Sequence, residues 1–365
     1  MATLNSLKQA LRAKATEATS LPTRLLSDEE YSAGFNVLLH NSEWSTYRDF
    51  IIPQLSELID SLLDSRTQIS VLEIGPGPKS VLGYLPNRLR HSIKKYTTYE
   101  PNGIFAAKLK QEAETLMPCL ESPLDIRPFP FVLENDTASG DENDMYDVVL
   151  FCHSMYSMHP KKAFIEQALE FLVEGGIVAV FHRAEPLHLD GLVCQRMAAF
   201  PAGLTRVEDN DEVLDTFTPF IAGYIVQDVS VDKAMRCNWR KICRDLGRRD
   251  KAHPDHLFFD APNIMMSFTR DSTSLPELTA QVPSMPKDWT VKNRETRSNS
   301  PASVMRPTKI QHVQNCVHWA LKHRFGLTIV GGGHSAHCLS PNSISVNMDA
   351  FDQVHVVDTE DNDGE

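Results

Sequence analysis

The spacing of apolar residues changes along the chain from a helical period to short strand-like runs. Between residues 26 and 63, apolar positions recur at steps of three and four, which predicts two helices. Short apolar runs follow, each separated from the next by a helical stretch, and they predict strands at 70–74, 96–100, 126–133, 146–151 and 177–181. Strands that alternate with helices predict an α/β fold, in which a parallel sheet is covered on both faces.

The pattern divides the remainder of the chain into three parts. A further helix, strand, helix and strand are predicted up to residue 268, and residues 271–305 are rich in Ser, Thr and Pro and predict a linker. A helix at 310–323, a strand at 327–330 and short β-like runs at 344–348 and 354–357 come next. We therefore expect an N-terminal extension (1–25), a main domain (26–270), a linker (271–305) and a smaller, incomplete α+β segment with an acidic tail (306–365).

Residues 1–24 leave two interpretations open. Leu4, Leu7 and Leu11 are spaced for one helical face, and basic residues outnumber acidic ones. An amphipathic transit peptide has this character, and so does a frayed or surface helix that ends before Pro22. Composition favours the surface helix.

Composition and charge exclude several classes of protein. The 365 residues are 42% hydrophobic and 23% charged, which is ordinary for a globular protein. A net charge of −12 argues against a sequence-independent nucleic-acid binder, and no apolar run is long enough to span a membrane. The seven scattered cysteines contain no C-x-x-C pair, so we expect a reducing, cytoplasmic location and no metal centre. We also expect a monomer that acts on a small molecule.

The first candidate site is a glycine turn after the strand at 70–74. Glu73 lies in that strand, Gly75, Pro76 and Gly77 follow it, and Glu100 ends the next strand 23 positions after Gly77. Glycine lets a ligand approach the backbone, and an acid at the second strand can accept hydrogen bonds from ribose hydroxyls. The dinucleotide fingerprint G-x-G-x-x-G and the phosphate loop G-x-x-x-x-G-K-[ST] are both missing, so the pattern favours a nucleoside ligand.

These residues resemble motif I of the class I S-adenosylmethionine-dependent methyltransferases, over about residues 26–270. The resemblance implies a Rossmann-like seven-stranded sheet, a cofactor contact from Cys152 and an adenine contact from Thr137, in the segment Glu134–Asn135–Asp136–Thr137. Within that superfamily, the strand YDVVLFCHSMYSM is similar to that of histamine N-methyltransferase and its relatives. His153 stands where that family has a substrate-binding glutamine, which makes histamine itself doubtful as the substrate.

His153 and Tyr156 are the candidate substrate-contacting residues. Methyl transfer from a sulfonium is an in-line displacement, so alignment of the acceptor supplies much of the rate. A hydroxyl or carbon acceptor also needs a base, and His153 at the end of the fourth strand is the best-placed candidate. An equally good interpretation is that His153 only orients the substrate.

The last 60 residues resemble the start of an FAD-linked oxidase domain related to the berberine bridge enzyme. The resemblance is carried by Arg306–Pro307, by Gly331–Gly332–Gly333–His334 and by the β-like runs after them. It implies a loop whose backbone amides reach a pyrophosphate, with His334 as the point of covalent flavin attachment. The family needs much more sequence to complete its pocket, so we expect FAD to bind only if the oxidase domain is completed elsewhere.

The pairing of the two segments is typical of fungal bifunctional methyltransferase/monooxygenase proteins of secondary metabolism. The sequence therefore predicts S-adenosylmethionine-dependent methylation of a small molecule in secondary-metabolite biosynthesis. Two alternatives stay open. One is a flavoprotein with a degenerate methyltransferase half, and the other is a non-catalytic binding protein.

Overall fold

The computed structural model describes residues 2–18, 23–41, 44–121, 123–133, 145–183, 187, 189–227, 229–286 and 288–352. The chain divides into two compact units. Unit 1 comprises Met1–Pro186 and Arg196–Arg270, and unit 2 comprises Leu187–Gln195 and Asp271–Glu365. No helix among the described residues is long and apolar enough to span a bilayer.

The described α-helices are, in chain order, α1 (Leu4–Ala18), α2 (Asp28–Asn41), α3 (Ile52–Leu63), α4 (Asn87–Ser92), α5 (Gly103–Leu116), α6 (Lys161–Glu170), α7 (Asp211–Ala222), α8 (Val229–Leu246), α9 (Leu275–Thr279) and α10 (Ile310–His323). The described strands are β1 (Thr23–Arg24), β2 (Ile69–Ile74), β3 (Ile93–Tyr99), β4 (Asp125–Arg127), β5 (Tyr146–Cys152), β6 (Leu172–Arg183), β7 (Arg196–Phe200), β8 (Leu204–Glu208), β9 (Ile225–Val226), β10 (Arg248–Asp250), β11 (His253–Asp260), β12 (Asn263–Phe268), β13 (Ser303–Met305), β14 (Leu327–Val330) and β15 (Ile344–Asn347).

A seven-stranded sheet forms the centre of unit 1, in the order β4-β3-β2-β5-β6-β12-β7. Strands β2 to β6 are mutually parallel, whereas β12 runs antiparallel to both β6 and β7. This is a seven-stranded, Rossmann-like α/β sheet, so the predicted fold class is confirmed. The topology brings the carboxyl ends of β2, β3, β5 and β6 to one edge, where an open α/β sheet binds its ligands.

The central strands are apolar on both faces, as expected for a parallel sheet covered by helices. Val148, Val149, Leu150 and Phe151 of β5 have no exposed surface. The apolar face of α3 packs on one side of this sheet, in the same cluster as Val71 of β2. The rigid centre therefore fixes the position of every strand end at the candidate site.

A second core in unit 1 is built from α1, α7 and α8. Leu7 and Leu11 on α1 are fully buried, and the indole N–H of Trp239 on α8 donates to the carbonyl of Leu11 at 2.9 Å. The helix predicted at the N-terminus therefore forms, but its apolar face is a core face rather than a surface one. Lys8 and Arg12 come with it into the body of unit 1.

Unit 2 contains a parallel three-stranded sheet in the order β13-β15-β14, with α10 packed against it. Its core joins Trp319 of α10 to Leu275 and Leu278 of α9, and to Val193 from the segment Leu187–Gln195. The composition of residues 271–305 predicts a linker, whereas the structure places a helix and buried apolar side chains there. Those apolar residues are few and separated by Ser and Pro, which hides them from a search for periodicity.

Candidate functional site

The glycine turn after β2 has a backbone shape that only glycine adopts easily. Gly75 and Gly77 have φ values of +64° and +73°. A Cβ atom on Gly75 would lie 2.8 Å from the Cβ of Ser154, and one on Gly77 would lie 3.4 Å from the ring of Phe35. The turn therefore lies between Phe35 of α2 and Ser154 after β5, and larger side chains at the two glycines would meet these neighbours.

Glu100 closes this turn from the neighbouring strand. Its Oε2 accepts the N–H of Gly77 at 2.9 Å and its Oε1 accepts the N–H of Asn102 at 3.0 Å. The side chain is buried, and burial raises its pKa above the ordinary value. Each carboxylate oxygen keeps a second lone pair, so Glu100 can accept ribose hydroxyls while it holds the turn.

Glu73 lies beneath the turn rather than on its surface. Its Oε2 accepts hydrogen bonds from the hydroxyls of Ser80 at 2.6 Å and Tyr96 at 2.7 Å, and only 1% of the residue is exposed. Burial raises the pKa of Glu73 to about 7, against the opposing effect of these hydrogen bonds. The contacts give Glu73 a positioning role for the turn, and direct contact with a cofactor stays a prediction.

Helix α2 supplies an aromatic wall above the turn. Gly34 lets α2 approach α7 closely, since a Cβ there would lie 2.3 Å from the Cβ of Phe220. The ring of Phe220 then contacts Tyr31, with centroids 5.1 Å apart, and Phe35 packs against Phe105 at 5.1 Å. Sequence spacing places these residues on a helix, but only the tertiary contact places them at the turn.

His153 and Tyr156 lie together at the carboxyl end of β5. The Tyr156 hydroxyl accepts the backbone N–H of Arg183 at 3.2 Å and lies 3.1 Å from Nδ1 of His153. His153 has a left-handed backbone (φ 57°), and its Nε2 is buried with no hydrogen-bond partner among the described residues. Burial, followed by the charge of Arg183 and by His182, lowers the pKa of His153 well below its ordinary value. The imidazole is therefore neutral near pH 7.

Three further rings extend this side of the site. Tyr47 contacts the His153 ring at 6.1 Å and stacks on Trp44 at 5.0 Å, and Trp44 meets Tyr84 edge-on at 4.6 Å. Burial raises the pKa of the Cys152 thiol, which keeps Cys152 from acting as a thiolate. Tyr47 and Tyr84 carry no sequence signal of function, because each comes from an element that only the fold brings to β5.

One predicted contact cannot be placed. Thr137, expected at the adenine, lies outside the described residues, as does the whole segment Glu134–Thr137. On the neighbouring strand, Tyr99 contacts Phe131 with centroids 5.3 Å apart, and its hydroxyl accepts from Arg127 at 2.7 Å. No group of three or more metal-ligating side chains is found in the described ranges.

The glycine loop of unit 2 follows β14. Gly333 has a φ of +69°, and its carbonyl accepts the backbone N–H of Asn293 at 2.9 Å. The Asn293 amide donates to the carbonyl of His334 at 3.0 Å, and His334 is exposed. The predicted β-like run at 354–357 lies outside the described residues. Flavin attachment to His334 stays a prediction.

Two family models match parts of the chain. Residues 47–203 match a family described as a methyltransferase domain. Residues 301–363 match a family described as an FAD binding domain. Among curated proteins, no sequence matches this chain.

Solved structures similar to this chain include several methyltransferases. The plantazolicin methyltransferase BpumL, in complex with SAH, is 12% identical, with 73% of this chain and 98% of that one covered and a TM-score of 0.36. Coclaurine N-methyltransferase, bound to N-methylheliamine and SAH, is 9% identical over 72% and 86% of the chains, with a TM-score of 0.35. The YcgJ protein of Bacillus subtilis is 8% identical over 58% and 97%, with a TM-score of 0.34. No argument about substrate rests on similarities at this level.

The strand order of unit 1 agrees with the methyltransferase-domain match at residues 47–203. The FAD binding domain match agrees with the expected flavin-domain segment. The finer resemblance to histamine N-methyltransferase stays a prediction.

Proposed function

We propose that the protein transfers the methyl group of S-adenosylmethionine to a small-molecule acceptor at the carboxyl edge of the unit 1 sheet. One observation carries the proposal. The Glu100 carboxylate accepts the N–H of Gly77. The acid that would accept the ribose hydroxyls is therefore hydrogen-bonded to the turn that would contact the methionine part of the cofactor. The cofactor supplies the electrophilic methyl carbon, and the protein positions it.

The acceptor would enter on the side of His153 and Tyr156. The Tyr156 hydroxyl already accepts the Arg183 N–H, which leaves its own proton free to donate to Nδ1 of His153. That arrangement puts the imidazole proton on the unpartnered Nε2, where it would donate a hydrogen bond to the acceptor molecule. A lowered pKa also weakens His153 as a base. The geometry therefore favours an orienting role over the general-base role.

Calorimetric titration with S-adenosylmethionine and S-adenosylhomocysteine, together with a visible spectrum, tests this proposal. We expect saturable binding in the micromolar range and no flavin absorbance. Glu100→Ala should weaken binding by about 1–3 kcal/mol, the scale for a lost charge-assisted hydrogen bond. Absence of binding to either compound would overturn the proposal.

A second candidate function is flavin chemistry in unit 2, favoured by the FAD binding domain match at residues 301–363. The described residues of that match form β13, α10, β14, the glycine loop and β15. The loop could present backbone N–H groups to a diphosphate. A yellow cofactor that copurifies with the protein would support this candidate, and we expect FAD only where the rest of an oxidase domain is supplied elsewhere. Secondary-metabolite biosynthesis remains the context that the domain pairing suggests.

A further inference from the structure

A row of aromatic and imidazole rings crosses the acceptor side of unit 1. We call it the aromatic row, and its members, each in contact with the next, are Tyr84, Trp44, Tyr47, His153, Tyr156 and His182. Successive ring centroids lie between 4.6 and 6.5 Å apart. All six residues belong to unit 1. The sequence predicts substrate contacts for only two of them, His153 and Tyr156, so the row extends the site beyond both.

The aromatic row adjoins the glycine turn through two different elements. Tyr84 ends the short 3₁₀-helix that follows the turn. His153 follows β5, and the next residue, Ser154, is so close to the turn that a Cβ atom on Gly75 would lie 2.8 Å from the Cβ of Ser154. A molecule that binds along the row would therefore lie beside a cofactor bound at the turn.

The aromatic row is partly open to solvent. Trp44 is 45% exposed and Tyr156 is 39% exposed, while Tyr47 and Tyr84 are half-buried. Single exposed rings are ordinary, but a contiguous exposed set marks a binding surface more often than a core. The row therefore has ring surface that a ligand can cover.

Two members of the aromatic row have ring faces with the same orientation. The planes of His153 and Tyr156 are parallel to within 1°, with centroids 6.5 Å apart. Their edges are joined by the 3.1 Å contact between the Tyr156 hydroxyl and Nδ1 of His153. The same hydroxyl accepts the backbone N–H of Arg183 at 3.2 Å, which fixes the direction of the Tyr156 side chain. A planar molecule of two fused rings would contact both faces at once, whereas a puckered molecule would contact only part of them.

The charges beside the aromatic row argue against a cationic acceptor. An ammonium group is attracted to the face of an aromatic ring, so a set of rings can also bind a cation. Here the Lys79 ammonium already lies over the ring of Tyr84, 4.7 Å from its centroid. Burial, followed by the charge of Arg183, lowers the pKa of His153 at the other part of the row. A further cation would be repelled from both sides, so an uncharged ring fits better.

We propose that the aromatic row binds the methyl acceptor, and that this acceptor is a planar, uncharged aromatic molecule. The inference rests on the proposed methyl transfer and names its substrate class. The rings of His153 and Tyr156 would contact the part of the acceptor that reacts, and Trp44 and Tyr47 would contact the remainder. Contacts between rings set the plane of the acceptor, so its nucleophilic atom would be aligned with the methyl carbon.

Calorimetric titration of the full chain, with and without S-adenosylhomocysteine, tests this inference. The probes are 2-naphthol, its saturated analogue decahydro-2-naphthol and the cation 2-naphthylmethylammonium. We expect 2-naphthol to bind saturably, and each of the other two to bind at least tenfold more weakly. The saturated analogue has at least as much apolar surface as 2-naphthol, so burial of apolar area alone would predict equal or tighter binding.

Substitutions in the aromatic row separate ring recognition from folding. Trp44→Leu should weaken binding of 2-naphthol about five- to tenfold, the scale for one lost aromatic contact, and leave affinity for S-adenosylhomocysteine unchanged. Tyr47→Leu should have the same effect, whereas Tyr47→Phe keeps the ring and should retain wild-type affinity. Tyr224→Leu is the matched control, because this half-buried tyrosine packs against Trp239 in the second core of unit 1. It should leave both affinities unchanged.

Three results would overturn the inference. They are no saturable binding of 2-naphthol, equal or tighter binding of either of the other two probes, and wild-type affinity for 2-naphthol in both Trp44→Leu and Tyr47→Leu. Failure of S-adenosylhomocysteine to bind, with binding of 2-naphthol retained, would instead count against the proposed methyl transfer and leave the aromatic site standing.

Discussion

Both units place a glycine loop after a parallel strand, but the two loops differ in what surrounds them. In unit 1, the turn at Gly75 and Gly77 is held by Glu100 and packed against Phe35. In unit 2, the end of the loop is held by hydrogen bonds from Asn293 to the carbonyls of Gly333 and His334, but a Cβ atom added at Gly331 would meet nothing within 4 Å. Both units therefore have a strand followed by a glycine loop, with the backbone freedom that glycine provides. The candidate site in unit 1 is distinguished by the side chains that neighbouring elements place around its loop.

This difference shows which features of a glycine motif indicate a binding site. The glycines alone are equally visible in both segments of the sequence. The unit 1 loop is joined to an acid on the next strand, to buried hydroxyls below and to an aromatic helix above. Each of these comes from a different element, so a ligand that binds there meets a surface that is already formed.

Gly77→Val should distort the unit 1 turn and have the largest effect on affinity for the cofactor. Valine at φ +73° is strained, and its Cβ would already touch the Phe35 ring at 3.4 Å, which leaves little room for the two methyl groups. We expect affinity for S-adenosylhomocysteine to fall roughly 100-fold or below detection by calorimetry. Gly331→Ala is the matched change in the unit 2 loop and should leave that affinity unchanged. Wild-type affinity in Gly77→Val would show that the turn does not carry the cofactor.

Glu73→Gln tests whether the buried Glu73 carboxyl beneath the unit 1 turn contributes to stability. The folded pKa of about 7 lies above the ordinary value of 4.5, so the stabilising contribution of the protonated carboxyl is complete below pH 4.5 and is lost as pH rises towards 7. Glutamine does not titrate. The stability of Glu73→Gln relative to wild type should therefore rise by about 3 kcal/mol between pH 4.5 and 8. Urea unfolding across that range measures this, with the exposed Glu112→Gln as a control whose curve should parallel wild type.

Asn342→Ala tests unit 2 and should have the smallest effect on the whole protein. The buried Asn342 amide donates to the carbonyl of Leu187 at 2.7 Å, and its oxygen accepts the N–H of Leu189 at 3.0 Å. We expect unit 2 to lose about 1–3 kcal/mol, the cost of leaving buried polar groups unpaired. Faster hydrogen exchange in residues 187–195 would report the loss, while affinity for S-adenosylhomocysteine stays at the wild-type value. Gln314→Ala, exposed on α10, serves as the control.

The sequence predicts those helices and strands in which the apolar residues recur regularly within the element itself. Helix 310–323 and strand 327–330 are predicted with the observed bounds, and most strands of the central sheet are found within a few residues. The strand predicted at 126–133 is wrong beyond β4, which ends at Arg127. The strands β7, β8, β10 and β11 are missed. β7 and β10 contain no buried residue, and β8 buries only Thr205 and Val207. The buried apolar run of β11, Leu257 to Phe259, is only three residues long.

The candidate site divides in the same way. Glu73, Gly75, Gly77 and Glu100 are identifiable from a strand, a turn and an acid at a fixed distance. The hydrogen bond between Tyr96 and Glu73 and the contact of the Tyr47 ring with His153 both depend on tertiary contacts between distant segments. No local pattern contains that information.

The segment Leu187–Gln195 has a consequence for the history of the chain. It lies between two strands of the methyltransferase sheet, yet it supplies Val193 to the core of unit 2, beside buried Leu189 and Leu192. In a protein without the rest of unit 2, these apolar residues would lose their present neighbours. We therefore expect polar residues at these positions in an ancestor that lacked unit 2. The polarity of positions 189, 192 and 193 in relatives would therefore record when the two units became dependent on each other.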